Sequence, residues 1–165
     1  MKTKFGAEYC WKGNQYFFSM KAHIGADMAS GLVHTVTTTP ANTADVTQTE
    51  RLLHGKEKRV WNDAGYTGAN KREGLAGRRL TWRIATKPGK LKAMPEGTWK
   101  DATRYVEYLK AAVPAKVEHP FRVIKRQFGC TKVRYRGLAK NTGQVSMLFA
   151  LSNVWMARRC LLAMA

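Results

Sequence analysis

Aromatic, small and β-branched residues alternate along two early segments, Gln15 to Ala26 (QYFFSMKAHIGA) and Leu32 to Thr39 (LVHTVTTT), and both patterns predict strands. The Asp, Ser and Gly of Asp27 to Gly31 suit a short hairpin connection, so the two strands are expected as an antiparallel pair. Pro40 to Thr43 breaks the pattern. Asn42 or Thr43 then caps a helix carrying Val46, Leu52 and Leu53, which ends near His54 and Gly55. Lys58 to Trp61 predicts a short strand that runs into Asn62 to Gly68 (NDAGYTG), a turn-forming stretch. Asp63 is thereby placed just beyond a strand end, where open α/β sheets keep their sites.

Leu80 to Thr86 (LTWRIAT) predicts a further strand, closed by the basic turn Lys87 to Lys90. Met94 to Thr98 is the least regular stretch. Helix follows from Trp99, with Tyr105, Tyr108 and Leu109 on one side, and is expected to reach about Phe128 with a kink or restart at Pro114 and Pro120. Asn141 or Thr142 is expected to cap a last amphipathic helix that buries Leu148, Leu151, Val154, Trp155 and Leu161. The order describes a mixed α/β domain. A two-strand meander opening directly onto a helix is an incomplete unit, which suggests a missing segment upstream.

At 165 residues and 44% apolar content the chain can bury a core, and it fits one domain, residues 1–165. Its 29 Lys and Arg against 11 Asp and Glu, a formal charge of +18, point to a polyanionic partner. Because the cations run from Lys2 to Arg159 among the aromatics, the charge belongs to the folded surface. Purely apolar runs fall far short of the roughly 20 residues that span a bilayer, and Met1 to Lys4 leads into no signal core, so a cytoplasmic protein is expected. Cys10, Cys130 and Cys160 are odd in number and form no CxxC pair, which reads as reduced thiols.

Acidity is scarce, so a hydrolytic or metal-dependent site must draw on a short list. Asp63 is boxed by Asn62 and Gly65; it is either a turn residue bonding its own backbone or a ligand. Glu118 sits among Lys116, His119, Arg122, Lys125 and Arg126, as a metal ligand on a DNA-facing surface or as a salt-bridge partner. His23, His34 and His54 lack a second ligand at i+4 and read as packed or surface histidines. No nucleophile elbow surrounds a serine, and no GxxxxGK phosphate loop is present, so serine-hydrolase and nucleotide-binding readings fall away.

The segments KGNQYFFSMKAHIGAD (Lys12 to Asp27), SGLVHTVTTTPANTADV (Ser30 to Val46), NDAGYTG (Asn62 to Gly68), KVEHPFRVIKRQFG (Lys116 to Gly129), KVRYRGLAKNTGQ (Lys132 to Gln144) and LFALSNVWMARR (Leu148 to Arg159) closely resemble transposases of bacterial insertion sequences in the DDE superfamily. The likeness covers nearly the whole chain, in order and in spacing. It implies a ribonuclease H-like fold, a mixed sheet flanked by helices, and three carboxylates binding two divalent ions, Mg²⁺ or Mn²⁺. By position Asp63 matches the second catalytic Asp, Glu118 the catalytic Glu, and Lys125 the basic residue facing DNA. Lys116, Arg122 and Arg126 join Lys125 as expected DNA contacts. A separation of seven returns Lys125 to nearly the helix face of Glu118.

Two departures accompany the resemblance. Pro114 stands where relatives carry an Arg four residues before the Glu. The family's first catalytic Asp lies on a first strand upstream of the KGNQ segment, and the eleven residues before Lys12 do not resemble that strand. Asp27 and Asp45 match other positions and read as turn or cap residues. In two-metal catalysis a shared carboxylate holds ions about 3.5 to 4 Å apart, and that role falls to the absent Asp.

The expectation is therefore a partial transposase catalytic domain that lacks its first strand and is inactive as it stands. Its partners are insertion-sequence ends and target DNA, with no membrane, a homo-oligomer in the transposition complex, and a cytoplasmic, nucleoid-associated location. The alternatives are a non-catalytic basic DNA-binding remnant of the same ancestry and, on charge and aromatics alone, a basic RNA-binding or ribosome-associated protein.

Overall fold

The computed structural model describes residues 9–12 and 15–164. The reading of Met1 to Lys4 therefore lies outside the described residues, as does that of the Cys10 side chain. By chain contacts the protein divides into two compact units, residues 1–44 with 118–165, and residues 45–117.

In the first unit, strands β1 (Tyr9–Lys12) and β2 (Gln15–Phe18) pair antiparallel. Strand β3 (Met20–Ala26) pairs antiparallel with β4 (Val33–Pro40), Met20 opposite Pro40 and Ile24 opposite Val36, with an irregularity at Gly25/Ala26. The expected hairpin is there, and the segment read as one strand from Gln15 breaks at Ser19. The hairpin turn is built by Asp27, whose Oδ2 accepts from the Ser30 N–H at 2.7 Å and the Ser30 hydroxyl at 2.8 Å. Those two bonds, the backbone one first, hold the Asp27 carboxyl below its ordinary pKa. Asp27 is thus the turn residue that its composition suggested.

One helix, α4 (Thr98–Arg126), and a second, α5 (Leu138–Met164), complete the chain after the smaller elements of the second unit. In the first unit Ile124 of α4, Phe149 of α5 and Val33 of β4 form the core, joined by Ile24, Val36, Phe121 and Leu148. Phe121 meets Phe149 edge to face at 5.1 Å, an arrangement that suits the aromatic quadrupole. Asn153 fixes α5 to the edge of β4: its Oδ1 accepts from the Val33 N–H at 2.9 Å, and its Nδ2 donates to the Val33 carbonyl at 2.7 Å. Burial of His23 is satisfied in the same hairpin by a 2.8 Å bond to the Thr39 hydroxyl, as expected of a packed histidine.

Helix α5 differs from expectation in where it starts and in which face it buries. It starts at Leu138, before Asn141 and Thr142. Thr142 instead returns its hydroxyl to the Leu138 carbonyl, and Asn141 is buried in the first turn. The buried stripe runs through Phe149 and Ser152, while Leu151, Val154, Trp155 and Leu161 are exposed. The helix is apolar on nearly every side, so hydrophobicity alone does not select its packed face; Asn153 and the fit of Phe149 do. By length and composition α5 is also apolar enough to cross a membrane.

The second unit contains α1 (Thr49–Leu52), entered by a 3-10 turn at Asp45–Gln48, where one longer helix capped at Asn42 or Thr43 was expected. After it come β5 (Arg59–Asn62), α2 (Glu73–Ala76), β6 (Thr81–Ile84) and α3 (Pro88–Lys92). The last replaces the basic turn read there, because proline at a first helical position is already set for a helix. Strands β5 and β6 run parallel, Val60 opposite Trp82. Among the described residues, two antiparallel pairs and one parallel pair make this a mixed α/β chain, consistent with a ribonuclease H-like domain.

Candidate functional site

Strand β5 is held on one side by β6, and the ladder is extended by the Ala85 N–H, which donates to the Asn62 carbonyl at 3.0 Å. Val60 is buried, which fixes the strand's facing. The chain leaves the ladder at Asp63 with extended backbone, φ −73° and ψ 177°. Its Oδ1 accepts the Gly65 N–H at 2.8 Å, capping the 3-10 turn Ala64–Tyr66. Asp63 is thus one residue past a strand end, exposed, and is also a turn-making residue. The two readings of it are compatible, since one carboxylate oxygen suffices for the cap.

Tyr66, in the same turn, was not singled out by its sequence position. Burial first, then the negative charges of Asp45 and Asp63, push its phenol up to about 12. Asp45 and Asp63 are therefore both near enough to Tyr66 to oppose its ionisation. Asp45 opens the 3-10 turn before α1, as a cap-like residue was expected to, but its company with Asp63 had no signal in a spacing of eighteen residues.

Glu118 lies in the first unit, on the second half of α4. Proline at 114 and at 120 does not divide this helix, which is one element from Thr98 to Arg126. Val123 and Ile124 are buried and set which side faces the core. Glu118, Arg122, Lys125 and Arg126 are all exposed, and Glu118, Arg122 and Lys125 follow one another at four and three residues along the helix surface. Lys116 is exposed on the same helix. Among the described residues no ion pair joins Glu118. The row is a carboxylate followed by free cations, a surface suited to a phosphate backbone.

A two-ion site needs a carboxylate shared between the metals. Among the described residues no group of three His, Cys, Asp or Glu side chains is placed to hold a metal ion. Asp63 belongs to the second unit and Glu118 to the first.

No solved structure matches this one. A family model does: residues 2–154 match the transposase DDE domain, and the chain belongs to that family.

Proposed function

We propose that the protein serves DNA transposition, as a catalytic domain for phosphoryl transfer at insertion-sequence ends, and that residues 1–165 work as one such domain. DDE transposase domains use divalent metal ions and act on DNA. In this reading Asp63 and Glu118 are two of the three carboxylates that would hold Mg²⁺ or Mn²⁺, and Lys116, Arg122, Lys125 and Arg126 lie along the DNA. One observation carries it: the match to the transposase domain spans an exposed Asp one residue beyond a strand and a Glu that heads a row of exposed cations on one helix.

What these residues do unaided is bind and orient. The cations neutralise phosphates and release counterions, which gives an affinity that falls steeply with salt and carries little sequence preference. Turnover by this chain alone is not expected, because the resemblance assigns only two of the three carboxylates that two-ion chemistry calls for. A homo-oligomer in the transposition complex and a cytoplasmic, nucleoid-associated location fit the DNA partner. Helix α5 is docked on β4 through Asn153 and Phe149, which favours a packed helix over a membrane span.

The test is a nicking assay on supercoiled DNA with Mg²⁺ and with Mn²⁺, alongside binding at several salt concentrations. Salt-sensitive binding without nicking is expected. Cleavage that disappears in both Asp63→Ala and Glu118→Ala would instead mean that a further carboxylate completes the site, and Asp45 is the first to examine. Binding indifferent to salt would remove the DNA reading altogether.

A further inference from the structure

From His119 to the C-terminus the chain carries nine Lys and Arg and no Asp or Glu. Four of these cations, Lys132, Arg134, Arg136 and Lys140, lie in or next to the loop between α4 and α5, and all four are exposed. This loop is not loose. Its entry is set at Gly129, whose φ of +64° lets the Cys130 N–H reach back to the Ile124 carbonyl at 3.0 Å and close α4. Its exit is set at Gly137, with φ +87°, immediately before α5.

Between those ends the loop is pinned from inside by one side chain. Asn141 is 3% exposed. Its Oδ1 accepts from the Tyr135 N–H at 3.2 Å, and its Nδ2 donates to the Tyr135 carbonyl at 2.6 Å and the Gly137 carbonyl at 2.7 Å. Only an amide side chain offers an acceptor and two donors together at that size. With the backbone of Tyr135 held inward, the flanking Arg134 and Arg136 are presented outward on a fixed stretch of chain. Ordering costs for such a loop are met in folding, which favours binding by preorganisation. An unopposed cluster of cations on a rigid loop suits the regularly spaced phosphates of a duplex.

We infer that this loop, Cys130 to Gly137, is a second DNA-backbone contact, separate from the α4 row, with Arg134 and Arg136 on phosphates, Lys132 and Lys140 in support, and Asn141 as the positioning residue. The inference rests on the DNA-binding reading above.

The experiment measures duplex binding by the full chain against salt concentration. Arg134→Ala with Arg136→Ala is compared with Arg78→Ala with Arg79→Ala, an exposed pair in the second unit. Each phosphate contact contributes about 0.9 to the slope of log affinity against log salt. The loop pair is therefore expected to flatten the slope by about 2, and the other pair to leave it unchanged. Asn141→Ala is expected to weaken binding severalfold at the wild-type slope, with faster amide exchange at Tyr135, since the cations remain but the loop must be ordered on binding. An unchanged slope in the loop pair, or an equal flattening in the Arg78 and Arg79 pair, overturns the inference while leaving the DNA-binding reading in place. Salt-independent binding by the unaltered chain overturns both.

Discussion

Asp63 both caps a turn and places a charge beside the Tyr66 phenol, and substitutions can pull the two apart. Asparagine keeps an oxygen for the Gly65 N–H but removes the charge, so Asp63→Asn should unfold within about 0.5 kcal/mol of the unaltered chain, whereas Asp63→Ala should cost about 1 kcal/mol as a lost cap. Denaturant titration of both variants checks this. Tyr66 reports the charge. Its phenol is raised to about 12 by burial and by Asp45 and Asp63, against about 10 for tyrosine in an unfolded chain. Because the folded value is the higher one, this contribution to stability is fully present below about pH 10 and is lost as pH rises toward 12. In an ultraviolet titration compared with Tyr66→Phe, Tyr66 should be among the last of the six tyrosines to ionise, and Asp63→Asn should move its midpoint down. A midpoint near 10 in the unaltered chain would refute the burial of Tyr66, and an unmoved midpoint in Asp63→Asn would refute the placement of that carboxylate.

Among the elements, α4 and α5 show how side-chain detail decides what periodicity leaves open. Tyr105, Tyr108 and Leu109 do share a side of α4, but it is an exposed one. The covered side carries Glu107, which accepts the Thr86 N–H at 2.6 Å and the Lys110 ammonium at 2.7 Å, and Lys100, paired with Glu96. Polar anchoring thus outweighs apolar patterning there. For α5 the anchors are Asn153 and Phe149. Asn153→Ala leaves both backbone groups of Val33 without their side-chain partner and should cost about 1–3 kcal/mol. Phe149→Ala empties the centre of the first unit's core and should cost about 3–5 kcal/mol. By contrast Val154→Ala, at an exposed position, should change stability by less than about 0.5 kcal/mol. Thermal unfolding of the three variants ranks them, and equal losses at Val154 and Phe149 would mean that the packed face has been misassigned.

For the whole molecule, charge and exposed apolar area pull in opposite directions. A net charge of +18 keeps copies apart at low ionic strength. Added salt screens that repulsion over a Debye length of about 10 Å at 0.1 M, while Trp99, Tyr105, Met147, Val154 and Leu162 remain exposed. Self-association should therefore rise with salt over the same range in which DNA binding falls. Light scattering on the free chain from low to high salt tests this, and scattering that declines as salt is added would show that the exposed apolar residues do not associate.

Strands β3 to β6, the hairpin turn at Asp27 and the place of Asp63 beyond β5 were legible in the sequence because each rests on near-neighbour chemistry: alternation, β-branching, and a short acid bonding to nearby backbone N–H groups, whereas β1 and the break at Ser19 were not. The DDE resemblance was legible for a different reason, since long segments in register are specific without any geometry, and the family match over residues 2–154 bears it out. The unbroken course of α4 past two prolines was not legible, nor was the packed face of α5 or the neighbourhood of Asp45, Asp63 and Tyr66. Asn141 shows the distinction in a single residue. By sequence it is a helix cap, a role set by the few residues around it; in the fold it is buried inside the helix's first turn and holds the loop before it. Local chemistry limits which bonds a side chain can make, but burial decides which of them must be made, because a buried amide left without partners costs more than an exposed one. Burial is a property of the packed chain and not of its order.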